Sequence, residues 1–353
     1  MIHSISPDLK RILEAGNNAP SGENCQPWHF IVRGNTVEVH LLPERDQSAY
    51  SWGKRASYLA NGAAIENIVI AASVEGYRAD VNYFPTGNDM LHIATISLME
   101  DMAVHKDSLA AYTDVRISNR KSYKKQSLTD DERVALLAVD PVVLVESSKE
   151  IGILGRVGST NEEVMLANRA LHQFFFSHVS WTKEEDEKKK IGFFIKTLEL
   201  PPPAEIMFKV FRNWSIMRIL GAIGFNRIVA RQNGATNASV AAIGGFMIPG
   251  IEPLDFVKIG RTIERFWLTA TSLGLSLQPL TGVLFFKLKI AGGEEEVFSV
   301  REKGLIMNAY GRAAEIFKAG DRHIAFMFRI GRGDAPSARA VRFPLEDVVT
   351  MVS

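Results

Sequence analysis

One cysteine in 353 residues, Cys25, leaves no intramolecular disulfide framework and no cysteine-based zinc site. No cationic neighbour in sequence activates its thiol, so it reads as chemically idle. Acidic and basic residues nearly cancel, at a formal net charge of +1. That balance gives no electrostatic case for nucleic acid, and no basic stripe interleaved with aromatics supplies one. No run of about eighteen apolar residues is present, so no membrane-spanning helix is expected. Met1 to Pro7 lack a basic segment followed by an apolar core, which argues against a signal peptide and makes cytoplasm the default. A Gly-x-Ser-x-Gly elbow, a His-Glu-x-x-His pair and a Walker loop are also missing, which removes the usual carriers of hydrolase, zincin and P-loop chemistry. His172 and His178 fall on different sides of a helix and make a poor ligand pair, so no metal is expected. Gly331-x-Gly333 is too little for a dinucleotide fingerprint.

What the chain does contain centres on Ala19-Pro20-Ser21-Gly22-Glu23-Asn24-Cys25-Gln26-Pro27-Trp28-His29-Phe30. Pro20 and Gly22 punctuate the end of a helix, and Ser21, Asn24 and Gln26 offer neutral hydrogen-bonding side chains close together. Such a loop can read a flat, heteroatom-rich ring; Ser21 and Asn24 can equally cap a turn. No acid, base or nucleophile stands out in it, which suits chemistry carried by a bound cofactor.

A second feature is internal. Gly62-x-x-Ile65-Glu66, continuing through Ala72 to Gly76, recurs in identical spacing as Gly260-x-x-Ile263-Glu264, continuing through Ala270 to Gly274. Each copy reads as a buried helix with its glycine stop. His92-Ile93-Ala94 is echoed later by His323-Ile324-Ala325. The chain therefore reads as two related halves, 1–112 and 113–353.

The loop motif Ala-Pro-Ser-x-x-Asn-x-Gln-Pro-Trp-x-Phe resembles the N-terminal signature of the FMN-dependent nitroreductase family. The resemblance implies an α+β fold with a central, mainly antiparallel sheet flanked by helices, here fused in tandem as a pseudo-dimer. It implies that Pro20, Ser21, Gly22 and Asn24 contact the flavin ring, while Gln26 and Trp28 orient the loop. Arg116, Ser118 and Arg120 resemble the segment that grips the FMN phosphate, which suits fork-shaped guanidinium donors; without the resemblance they would pass for a solvated basic linker. Arg342, and next Arg339, resemble the phosphate-binding arginine of the family's C-terminal tail. Gln278, Pro279, Leu280, Thr281 and Gly282, read as the turn after the second repeat helix, resemble the second ring-contact group, Gly282 allowing close backbone approach. Asp140-Pro141 stands where a second ring-contact loop belongs, so one FMN per chain is expected. No lysine in the ring-contact stretches offsets the charge of a reduced flavin.

The remaining elements follow from periodicity and punctuation. Ser6-Pro7-Asp8 starts a helix that ends at Gly16, strands over 30–32 and 37–41 meet at Gly34-Asn35, and 91–98 is a further strand. A short helix follows Thr129, with strands at 142–145 and 324–330. Residues 155–245 depart from the family: 161–181 reads as an amphipathic helix and Lys183 to Lys190 as a solvated charge run. Met207 to Arg231, apolar with interspersed arginines, suits either a membrane surface or helices packed with cations outward; the insert as a whole is a lid candidate. The implied activity is NADH- or NADPH-driven reduction of a quinone, nitroaromatic or related small-molecule acceptor. The alternatives are an FMN-storage protein with little turnover and a biosynthetic flavin dehydrogenase or oxidase. A monomer is expected, with further dimerisation left open.

Overall fold

The structure is a computed structural model that describes residues 5–352; most of the residues behind the signal-peptide reading, Met1 to Ser4, lie outside it. Helix α1 (Pro7–Asn17) begins where the Ser6 hydroxyl accepts from Leu9 N–H at 3.3 Å and Pro7 presets the first turn. Its buried face holds Ile12 and Leu13. The polar loop then delivers the hairpin β1 (Trp28–Arg33) and β2 (Thr36–Leu41), reversed at Gly34 with φ +56°. Helix α2 (Arg55–Val74) is buried on nearly every side and stops short of Gly76, whose φ is +85°. With β3 (Tyr77–Tyr83) and β4 (His92–Glu100) these strands make a sheet ordered β12-β1-β2-β4-β3. Its outermost member, β12 (Val349–Met351), runs parallel to β1; the other pairs are antiparallel.

The second sheet is antiparallel, in the order β10 (Ser276–Pro279), β11 (His323–Gly333), β9 (Ala242–Ile248), β6 (Val142–Val145), with β5 (Tyr123–Lys124) paired to the end of β11. Helix α3 (Asp130–Leu137), with a capping box from Thr129 and Glu132, leads into β6. Between β6 and β9 run α4 (Ser148–Ala167), α5 (Arg169–Ser177), α6 (Lys183–Lys189) between the paired β7 (Val179–Ser180) and β8 (Phe193–Phe194), then α7 (Pro202–Phe211), α8 (Trp214–Ala222) and α9 (Phe225–Asn237). Helix α10 (Pro253–Ser272) precedes β10; α11 (Gly282–Ala291) and α12 (Val300–Ile316) precede β11. The architecture is α+β and mainly antiparallel, with two principal sheets where a single central one was expected.

Helices α2 and α10 form the layer between the two sheets, and Phe30, Val39, Ile65, Ile263, Phe246 and Phe328 belong to one continuous core. A second core lies on the far side of β9 and β11, built with α4, α11 and α12. The two middle helices cross at the repeat glycines. A Cβ on Gly62 would stand 2.1 Å from Val257 O, and one on Gly260 2.1 Å from Leu59 O. Leu59 and Val257 are separated by the same interval as the two glycines, so the contact is self-complementary in the way a two-fold interface is.

Several elements differ from the sequence reading. The helix expected over 161–181 is two helices, because Asn168 accepts from Leu171 N–H at 3.2 Å and donates to Val297 O at 2.8 Å, capping α5 and ending α4. The stretch 275–282, read as a turn, contains β10 and opens α11. Strand β9 was not anticipated: its Gly244 and Gly245 dilute the strand pattern, yet a Cβ would meet the Phe328 ring at 2.2 Å or Phe317 at 3.0 Å.

Candidate active site

The loop after α1 carries unusual backbone strain. Glu23, Asn24 and Gln26 all lie at positive φ (52°, 53° and 47°), which costs a non-glycine residue about 1–2 kcal/mol. A dense set of hydrogen bonds offsets this. Asn24 Nδ2 donates to Lys190 O at 2.9 Å and Val341 O at 2.8 Å, and its Oδ1 accepts from Arg342. Gln26 Nε2 donates to Lys190 O at 2.8 Å while its Oε1 accepts from Phe343 N–H at 2.8 Å. Ser21 Oγ accepts from Gln26 N–H at 2.9 Å. Trp28 Nε1 donates to Asn17 Oδ1 at 3.0 Å, and Asn17 in turn donates to Phe343 O at 2.7 Å. The amides of Asn24 and Gln26 thus fasten the loop to the insert and to the segment 341–343.

Two arginine segments converge on this loop. Residues 116–120 are tied to β10, where Ser118 bridges Leu277 and Asn119 N–H donates to Leu277 O at 3.0 Å. Residues 339–342 are tied to the loop itself, Arg342 donating to Ala19 O at 2.8 Å. Together they line a cavity of about 110 Å³ with Pro20, Ser21 and Asn24 at its edge. Gly192, Phe193 and Thr197 of the insert close another side. Gly22 and Gln26 do not line it.

Charge in the cavity is strongly one-sided. Burial, then Arg116 and Arg339, pull the Arg342 guanidinium down to about 9. Burial also lowers Arg120 and Arg339, the latter with help from Arg116. Glu264, fully buried behind the cavity, touches Arg116 Nε at 2.9 Å, an ion pair without an aligned hydrogen bond, and Glu23 lines the cavity itself. Burial raises Glu264 even against the pull of Arg116. Four guanidinium groups facing one space, Arg116 buried, Arg120 and Arg342 half-buried and Arg339 exposed at the rim, are what an anion-binding site requires. Arg116 also donates to Asn18 O at 2.7 Å and lies over the Trp267 ring at 4.8 Å, which fixes its fork.

The second expected ring-contact group is not brought into this cavity. Gln278 Oε1 accepts from Arg329 Nε at 2.7 Å, Pro279 ends β10, and Leu280 packs on Gly158 of α4. Thr281 and Gly282 open α11 against Asn161, whose Oδ1 occupies the space a Gly282 Cβ would need, 2.3 Å away.

Between the two groups lies a buried polar patch that the sequence did not disclose. Glu23 accepts from the Ser48 hydroxyl at 3.0 Å, and burial pushes its carboxyl up to about 8. Burial pushes Glu162 up to about 7, and its Oε2 has no partner. Both carboxyls act on Tyr50, whose hydroxyl is raised chiefly by burial. Ser51 Oγ and Asn161 Oδ1 are likewise buried without partners. Orphaned polar atoms in such number normally await water, an ion or a polar ligand. The arginine donors and the size of the cavity suit a phosphate. Cys25 is buried, and burial raises its thiol, in keeping with an idle role.

No protein-family profile matches the chain. It is 34% identical over 88 residues, a quarter of its length and 27% of the relative's, to a Mycobacterium tuberculosis protein that carries the name of an NAD(P)H nitroreductase, acg. It is 30% identical over 116 residues to a second protein so named from that organism, Rv3131, covering 33% of this chain and 34% of that one. A third, uncharacterized M. tuberculosis protein is 22% identical over 286 residues, 79% of this chain and 39% of the relative. The chain thus spans about two fifths or less of the curated relatives it matches. Among solved structures it is similar to a nitroreductase-like family protein from Bacillus cereus at a TM-score of 0.34 and 12% identity, covering 69% of this chain and 96% of that one.

Proposed function

We propose that this chain is an oxidoreductase of the nitroreductase kind that holds one FMN, its phosphate in the arginine cavity and its ring against the patch around Glu23, Tyr50 and Glu162. The observation that carries the reading is the convergence of Arg116, Arg120, Arg339 and Arg342 on one small cavity beside the Pro20-Ser21 loop. The names of the relatives support the same direction.

When bound, FMN supplies hydride transfer from NADH or NADPH to a quinone, nitroaromatic or related acceptor. The chain's own residues then have four tasks. Arg116 and Arg342, with Ser118 beside them, bind and orient the phosphate dianion by charge-assisted hydrogen bonds. Pro20 and Ser21 fix the approach of the ring edge. Glu23, with a carboxyl near 8, holds a proton at neutral pH where the cavity meets the buried patch. Gly192, Phe193 and Thr197 exclude water from the phosphate side. The reading of two related halves, 1–112 and 113–353, is supported by the self-complementary crossing at Gly62 and Gly260.

The close seat of Asn161 on Gly282 favours one second reading, an FMN-storage protein whose ring site stays shut. Purified protein is mixed with FMN, its absorption recorded from about 300 to 550 nm, a range set by the flavin bands, and NADH or NADPH is added without oxygen. Bound flavin that bleaches within seconds supports the reductase. Bound flavin that stays oxidised supports storage. Failure of FMN to bind overturns both.

A further inference from the structure

Helices α7 to α9 present a surface that neither core explains. Ile206, Met207 and Val210 on α7, Ile216 and Ile219 on α8, Ile223 just after it and Ile228 on α9 are all exposed, Ile223 to 77% and Ile206 to 67%. Ile216, Ile219 and Ile223 follow the i, i+3, i+7 spacing of a helix face. The opposite side of α8 is apolar as well, since Met217 is fully buried in the second core with Trp214 and Leu220 packed beside it. A helix apolar on both faces needs cover on both, and the chain supplies one.

Cations are threaded through the same surface. Lys209, Arg212, Arg218, Arg227 and Arg231 are exposed, and Glu205 is the single acidic residue over 202–231. Five cations and one anion give this segment +4, so the rest of the chain, at an overall +1, carries −3. Glu205 is engaged by Lys196 at 2.8 Å, and Arg227 reaches only Glu163, at 3.7 Å. A second copy docking here through the same patch would set like charges against each other. Large aliphatic side chains ringed by cations, of which Arg212, Arg218 and Arg231 have no ion-pair partner among the described residues, suit a phase that is apolar inside and anionic at its surface.

We propose that α7 to α9 form a peripheral docking surface for a lipid bilayer rich in anionic headgroups. The isoleucines enter the acyl boundary while the arginines and Lys209 meet the phosphates. Attachment is lateral, because no helix among the described residues is long and apolar enough to cross a membrane. Of the two readings the sequence allowed for this stretch, the packed helices are present, but the isoleucines turn outward together with the cations.

The test is co-sedimentation of the full chain with phosphatidylcholine vesicles, with and without phosphatidylglycerol, over a range of salt. Binding is expected to need the anionic lipid and to weaken as salt rises. Ile219→Glu and Ile223→Glu should each lower the partition coefficient about tenfold or more, and Arg218→Gln roughly fivefold, with unchanged thermal melts showing that the fold is kept. Absence of binding to anionic vesicles by the folded wild type overturns the proposal. So does equal binding to neutral vesicles, or sedimentation velocity showing a dimer that Ile219→Glu dissociates.

Discussion

Glu66 and Glu264 occupy the same place in two copies of one helix pattern, and their surroundings are opposite. Glu66 takes Arg261 Nε and Arg265 Nε at 2.7 Å each, from guanidinium groups partly open to water. Arg265 continues to Asp107 at 2.7 Å and Arg261 to the Tyr83 hydroxyl at 2.6 Å, so every member has a partner. Glu264 is sealed from water beside Arg116, with both carboxylate oxygens short of aligned donors, and Arg116 shares its cavity with three further arginines. One end of the helix pair is a closed clamp. The other is open: positive charge assembled around a small cavity, in excess of the carboxylates that face it. The same residue at the same place in a repeated helix pattern thus meets opposite surroundings according to what the flanking segments bring to it.

The comparison can be broken at its centre first. Gly62→Ala and Gly260→Ala each drive a methyl into a carbonyl of the opposing helix, and backbone cannot swing aside as a side chain can. Each should cost about 4 kcal/mol in urea unfolding; markedly unequal costs would show that the crossing is not symmetric in energy.

Next come the two glutamates. Glu264→Gln should destabilise by about 3 kcal/mol, since it removes the carboxylate paired with the buried Arg116, and added inorganic phosphate should restore much of the lost melting temperature. Glu66→Gln should cost about 2 kcal/mol with no rescue by phosphate. Rescue of both or of neither would remove the distinction between clamp and anion site.

Arg342→Ala should weaken FMN binding by about 2–3 kcal/mol, read by fluorescence titration, with Arg339→Ala falling short of that. Smallest when counted per pH unit is the effect of pH. The folded-state carboxyl of Glu23 lies near 8, above its ordinary 4.5, so the folded chain holds a proton that the unfolded chain releases between those values. Stability should therefore fall as pH rises across that window, by up to roughly 1.4 kcal/mol per unit from this group. Glu23→Gln should flatten the slope in thermal melts taken at successive pH values.

Local signals made the frame of the molecule readable. Ser6-Pro7 set the start of α1, Gly76 the end of α2, and the repeat marked the two helices that cross. Arg116, Arg120, Arg339 and Arg342 were readable as a group only through the family resemblance, since on spacing alone residues 116–120 pass for a solvated basic linker, and the fold brings the four to one cavity. The buried patch was not, because Glu23, Tyr50 and Glu162 are far apart in sequence and are buried by tertiary contacts such as the Gly192 N–H to Glu23 O bond at 2.7 Å. Gln278 to Gly282 carried a motif whose neighbours could not be known: only the fold reveals that Arg329 and Asn161 meet them. Strand β9 was hidden for a related reason, since its glycines are chosen by the aromatic rings stacked on each side.

The parallel pairing of β12 with β1 bears on how the protein is made. Residues 334–348 cross from the end of the second sheet to the edge of the first, carrying Arg339 and Arg342 with them. During synthesis the Pro20-Ser21 loop and residues 116–120 leave the ribosome long before those arginines do. The anion cavity is therefore incomplete until the segment carrying Arg339 and Arg342 has left the ribosome and packed on the loop. An anion met earlier would find only Arg116 and Arg120 of the four arginines that line the cavity.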